Sequence, residues 1–284
     1  MTWNISFLFI LLSLALSACT ATHEAVETRN GYSLALQESG LIKRLGQASF
    51  IFLGEKHDNE EHHLVQAAIL QQTLTSNDGV VFEMLNRDQQ PVVDQFLKGD
   101  ISYASLPHKL KWAKSGWPDW TYYGPLFKAA KDARARILYG SFPQRDLKDN
   151  MNATPDDTLP RHLLDSLHTQ IRQSHCDLLP KHMIAPMSNI QIAKDKLLAK
   201  QLLQAKGQGR AFLIAGNGHV RKDRGAPYFL ARQTSLKNIF VLGIVEDQEY
   251  LGSNDLFNRF DSVWTTASVT GKDYCSDLRK KFGK

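Results

Sequence analysis

Five short apolar runs constrain this chain more than any other feature. They occupy residues 48–54 (ASFIFLG), 79–85 (GVVFEML), 136–142, 210–216 (RAFLIAG) and 238–245 (NIFVLGIV). Most are continuous rather than alternating, which suits strands covered on both faces of a parallel sheet. Helical patterns at 59–75, 122–134, 226–234 and, in pieces, 160–206 separate them, and Leu34, Leu41, Ile42 and Leu45 lie at near-helical spacing ahead of the first. Strand-helix alternation predicts an α/β fold: a mostly parallel sheet flanked by helices. About 50 residues part the second and third runs and about 68 the third and fourth, more than a simple crossover needs. Helical insertions are therefore expected at about 86–120 and 145–206, forming a smaller inserted helical subdomain.

The amino terminus reads as an address. Residues 1–22 contain no Asp, Glu, Lys, Arg or His, and the apolar stretch 3–18 is too short to span a bilayer comfortably. It ends in Leu16-Ser17-Ala18-Cys19, which resembles the lipobox of bacterial lipoproteins. Cys fits there because its thiolate is the nucleophile that thioether formation requires, and several acyl chains anchor a protein firmly. The expected division is a signal peptide at 1–18, a lipidated Cys19 with a tether at 19–30, and one domain at 31–284. Thr20, where Asp is absent, favours by resemblance to Gram-negative sorting an outer-membrane lipoprotein facing the periplasm. The n-region lacks Lys and Arg, and the alternative is an ordinary signal peptide with a fortuitous Cys. Cys176 and Cys275 then remain; in an oxidising compartment they pair or stay as buried thiols, and sequence alone does not decide.

Two motifs follow directly on strand runs and a third residue lies near the end of one, where α/β sheets bind ligands. Gly54-Glu55-Lys56-His57-Asp58 places a carboxylate and an imidazole at the rim, with Gly54 allowing a sharp turn. Asp58 begins a capping-box pattern with Asn59, Glu60 and Glu61. Glu83 lies inside a buried run, a costly place unless it is paired or bound to metal. Gly216-Asn217-Gly218-His219 repeats the strand-then-His pattern. Glu55, His57, Glu83 and His219 together suit a borderline divalent metal. Trp117, Trp120, Tyr122 and Tyr123 cluster within seven positions, enough to wall a flat apolar ligand or to pack a core. His175-Cys176 with His182, Met183 and Met187 offers soft and imidazole donors to a metal or haem, or ordinary helix-facing side chains. His62 and His63 are expected on a solvated helix face.

Composition excludes other classes. Apolar residues at 43% and charged residues at 22% exclude a disordered or polytopic chain. With 34 Lys+Arg against 29 Asp+Glu, net charge is +5, a mild bias compatible with an anionic ligand; no basic run points to nucleic acid. The chain has no Gly-x-Ser-x-Gly, His-Glu-x-x-His, Cys-x-x-Cys or Walker loop.

Together these residues resemble the ChaN-like haem-binding lipoproteins of the Tiki/ChaN superfamily. The likeness covers most of the mature chain: Leu53-Gly54-Glu55-x-His57-Asp58, Phe82-Glu83-Met84, Gly116-Trp117-Pro118 to Tyr123-x-Pro125-Leu126, His175-Cys176 to Gln191 and Asp195, Ala215 to Val220, and Gly225-Ala226-Pro227. Two departures are Asp177, where the family often has Gly, and Ser141, where an Asn is expected. The resemblance implies haem binding in iron acquisition, haem shared across a homodimer through Tyr, and a possible outer-membrane haem receptor as partner. Tyr123 matches the family's Tyr-x-Pro position; Tyr123, His175, Trp117 and Tyr122 are the expected haem-binding residues. The same rim also resembles Tiki-type metalloproteases and erythromycin esterases. That likeness implies an alternative: a metal-dependent hydrolase, with His57, Glu83 and His219 on a divalent metal and Glu55 as general base. A third reading is an envelope scaffold with an inactive rim.

Overall fold

The computed structural model describes residues 32, 34–153, 159–252, 255–269 and 273–281. The expected signal peptide, Cys19 and the tether lie outside the described residues. Six strands form one parallel sheet: β1 (Phe50–Glu55), β2 (Gly79–Asn86), β3 (Arg136–Ser141), β4 (Ala211–Gly216), β5 (Ile239–Glu246) and β6 (Ser262–Thr266). Their order is β3-β2-β4-β1-β5-β6, and every adjacent pair is parallel. Five strands match the apolar runs. The sixth is a short edge strand, half-exposed along most of its length, and so lacks the continuous apolar signature of a covered strand.

The main helices are α1 (Glu60–Thr73), α2 (Gln90–Lys98), α3 (Trp120–Asp132), α4 (Gln144–Met151), α5 (Arg161–Ser174), α6 (Lys181–Lys206), α7 (Asn217–Val220), α8 (Ala226–Leu230) and α9 (Tyr274–Lys281). They create a core on each face of the sheet. Ile51 and Leu53 enter the core built with α1, α2 and α3, whereas Phe50 and Phe52 enter the one built with α5, α6 and α8. Successive strand residues point to opposite faces, so a strand covered on both sides is apolar without alternation. Each such side chain contributes about 1.5–3 kcal/mol on burial. The two long insertions also supply opposite cores. The first adds Leu106, Leu110 and Trp112 to one; the second adds Leu167, Ile171, Ile192 and Leu198 to the other.

Two local expectations are corrected. The cap of α1 is Asn59, whose side chain accepts from the Glu61 N–H; Asp58 instead accepts from the Tyr274 hydroxyl. Gly54 is a strand residue rather than a turn. A Cβ there would overlap the Asn217 carboxamide and approach Val220 Cγ2 at 2.7 Å, so glycine is required for close packing of α7 on β1.

Cys176 and Cys275 form a disulfide with Cα atoms 5.5 Å apart. It ties α9 to the turn after α5, while the Tyr274 hydroxyl on α9 donates to Asp58 after β1. Among the described residues, no helix is long and apolar enough to cross a membrane.

The bridge spans 99 residues of sequence, and closing a loop of about that size removes about 4–5 kcal/mol of unfolded-state freedom. The Cys176→Ser/Cys275→Ser double variant should lose about 4 kcal/mol of unfolding free energy in a urea titration. An unchanged midpoint would show that the bridge does not hold the native state.

Candidate functional site

The carboxyl ends of β1, β2 and β4 meet at one rim. β1 ends in Glu55, which is 1% exposed. Its Oε1 accepts from His57 Nδ1–H at 2.7 Å and from the Tyr123 hydroxyl at 2.7 Å. His63 Nδ1 stands 3.4 Å from the other oxygen, and His63 Nε2–H donates to the His57 carbonyl at 2.9 Å. Burial alone would raise the Glu55 pKa. The field of His63, the His57 hydrogen bond and charge, and the Tyr123 hydroxyl overcome it and hold the carboxyl at about 2.

Glu83, near the end of β2, is 2% exposed. Its Oε1 pairs with Lys194 Nζ at 3.0 Å and its Oε2 accepts the Gly216 N–H at 2.9 Å. His57 Nε2 lies 3.8 Å away on one side and His219 Nε2 3.4 Å away on the other. His219 Nδ1–H donates to Asp195 on α6 at 2.6 Å. Burial opposes ionisation of Glu83, but His219, Lys194 and His57 push its pKa well below the carboxylate range. A core salt bridge and a site carboxylate were competing explanations of Glu83; the structure unites them. Close approach again demands glycine here: a Cβ on Gly216 would stand 2.8 Å from His57 Nε2.

His57 is the part-exposed link between the two carboxylates. Burial would lower its pKa, but the Glu55 hydrogen bond and the charges of Glu83 and Glu55 raise it to about 9. Its ring meets Trp117 edge-on, centroids 4.9 Å apart. Tyr122 stacks on His63 at 5.5 Å and Tyr123 crosses the same ring at 4.4 Å.

The structure fixes the places of Tyr123 and His175, and it corrects one expectation, that of a solvated His62 and His63. Tyr123 is 0% exposed and spends its hydroxyl on Glu55; burial and the Glu55 charge push its pKa far above the ordinary phenol value. As placed, it packs in the core with its hydroxyl on Glu55. His62 and His63 are buried, not solvated. His62 Nδ1 accepts the Lys56 N–H at 2.8 Å, and burial with His63 nearby lowers its pKa to about 4. His175 is apart from the aromatic group. Its Nδ1–H donates to the Ile171 carbonyl at 2.7 Å, and its ring lines a cavity shared with His219.

Sequence reasoning gave no role to Lys194 or Arg224, and it took Asp195 only as part of a family motif. A signal for Asp195 was present. On α6, Ser188, Ile192, Asp195, Ala199 and Leu202 are buried at helical spacing, so a carboxylate interrupts an apolar stripe. Nothing local marked Lys194, which reaches Glu83 across 111 residues. Among the described residues, no group of three or more His, Cys, Asp or Glu is arranged to hold a metal ion. Lys194 takes the Glu83 oxygen nearest His219.

Comparison with known proteins agrees with this architecture. A family model described as haem-binding uptake, Tiki superfamily, ChaN matches residues 41–230. ChaN of Campylobacter jejuni, whose structure concerns cofacial haem binding to that protein, superposes with a TM-score of 0.67 at 25% identity. The match covers 79% of this chain and 90% of that one. A succinoglycan biosynthesis protein (TM-score 0.44, 14% identity, 74% of this chain and 69% of that one) is more distant. So is the type III effector HopBA1 (0.45, 12%, 81% and 92%). No curated protein matches the sequence.

His57 is raised from 6.5 to about 9, so its pairing with Glu55 stabilises the fold fully below pH 6.5 and is lost as pH rises through about 9. Urea midpoints measured across that window should fall with pH, and the fall should flatten in His57→Ala. Equal slopes in both proteins would remove His57 as the titrating group.

Proposed function

This chain belongs to the ChaN family of haem-binding uptake proteins in the Tiki superfamily, and from that membership we propose that it holds haem at the sheet rim as a lipid-anchored protein of haem and iron acquisition. The family match over residues 41–230 is the observation that carries this reading. Haem brings a flat apolar face, an iron and two carboxylates. Trp117 and Tyr122 are partly exposed rings packed beside the site, suited to the flat face. The Tyr122 hydroxyl has no hydrogen-bond partner among the described residues, whereas that of Tyr123 is committed to Glu55. We therefore assign the iron to Tyr122: a phenolate is a hard oxygen donor, and tyrosine is an established ligand type for ferric haem. His57, with its raised pKa, supplies positive charge beside Trp117 for a propionate. Haem shared by two protomers completes the proposal, with Cys19 as the lipidated residue, the outer membrane as location and a haem receptor there as partner.

Titrating ferric haem into the Cys19→Ser protein should give a saturable Soret band with a dissociation constant below about 1 µM, equivalent to about −8 kcal/mol, and a mass step to a dimer. Tyr122→Phe should lose the phenolate charge-transfer band while Tyr123→Phe keeps it. The reverse result would return the iron to Tyr123 and require the core to open. Weak, unsaturable absorbance would sink the haem reading.

Lipid anchoring has its own test. The full-length protein should fractionate with outer membranes, and Cys19→Ser should move it to the soluble periplasmic fraction. Unchanged fractionation of the variant would refute the anchor.

A further inference from the structure

Between α5, α6 and the Gly216–His219 turn lies a cavity of about 110 Å³. Its walls are of two kinds. Leu167, Ile171 and Met187 make one side apolar, and Arg224, Gln170 and His219 line it with polar groups, together with Asp195, whose carboxylate is taken up by His219. Arg224 is 3% exposed, and the carboxylates that favour its charge, Asp223 and Asp195, make no ion pair with it. Among the described residues no carboxylate lies within ion-pair distance of its guanidinium. The two nearby acids are already engaged: Asp223 by the Arg221 fork and Asp195 by His219. One Arg224 Nη donates to Gln170 Oε1, but the buried Nε–H has no partner among the described residues. Gln170 Nε2 also donates to no protein acceptor among the described residues, and it stands 3.3 Å from where a Cβ on Gly218 would lie.

Burial and the charge of Arg221 lower this guanidinium from 12.5 to about 10, only partly offset by Asp223 and Asp195. A polar, roomy cavity beside unsatisfied donors is where a ligand or water belongs. The missing group must accept from a planar N–H fork and an amide, and it must tolerate an apolar wall. A carboxylate meets the fork with two coplanar oxygens, and a short alkyl tail meets Leu167, Ile171 and Met187. Phosphate has no apolar end for that wall, and its extra charge would face Asp195. The volume admits a molecule of about five heavy atoms, below the roughly 150 Å³ that accepts benzene.

We propose that the Arg224–Gln170 cavity is a binding site for a short-chain monocarboxylate. The inference does not rest on the haem reading, although a propionate arm of haem carries the same chemistry and is the second source to be distinguished.

The test uses the full-length protein in detergent, with sodium propionate as probe and inorganic phosphate as control. Propionate should raise the thermal midpoint saturably and give saturation-transfer NMR signals; phosphate should do neither. Arg224→Gln and Gln170→Leu should each weaken propionate by about tenfold or more. Gln170→Leu guards against a folding failure in the Arg224 variant. If haem displaces propionate, the carboxylate is the haem's own arm; if both bind together, it is a free acid. No propionate binding, equal binding of phosphate, or wild-type affinity in both variants would overturn the proposal. Loss of haem binding with propionate binding retained would fell the haem reading alone.

Discussion

Two carboxylates buried at the ends of parallel strands set the terms for the rest of this structure. Glu55 and Glu83 are almost wholly removed from water, and an ionised carboxylate there is tolerable only if charge and donors surround it. The chain supplies them from every adjoining element: His57 from the turn after β1, His63 from α1, Tyr123 from α3, Lys194 from α6, and His219 with a backbone N–H from the β4–α7 turn. The two faces of the sheet are thereby locked to each other at the rim. Removing any one of these partners leaves a buried charge rather than a simple gap.

That arrangement separates structure from ligand contact within one site. The innermost groups, including Tyr123, are consumed in holding Glu55 and Glu83. What remains for a ligand lies at the two ends of the chain of contacts. At one end Trp117 and Tyr122 offer ring surface next to His57. At the other, beyond His219, is a small cavity beside Arg224, whose buried Nε–H has no partner among the described residues. A closed ionic centre of this kind gives rigid support to the rim.

Much of this was legible beforehand, and the exceptions have physical causes. The five covered strands announce themselves because a strand buried on both faces is apolar at every position. Glu83 stood out because a carboxylate in such a run is anomalous. His62 and His63 were misjudged because polar side chains on a helix are usually solvated. Here a buried carboxylate at the end of the preceding strand draws His63 inward, and the Lys56 N–H engages His62. Tyr123 was singled out by its Tyr-x-Pro resemblance, and its burial and its bond to Glu55 were not legible there, because aromatic residues serve cores and ligands alike.

The sequence by itself determined the α/β class, the parallel sheet and the placement of three acid- and imidazole-bearing motifs at strand ends, because burial periodicity and chain direction are local properties. It determined that Cys176 and Cys275 were the candidates for a bridge, but not that they meet. Tertiary structure decided which imidazole faces which carboxylate, that Lys194 reaches Glu83 from 111 residues away, that Tyr123 turns inward while Tyr122 stays at the edge, and that Arg224 ends beside a cavity with no ion-pair partner among the described residues. Those outcomes depend on strand order and on the packing of α6 across the sheet, and no window of local sequence contains either.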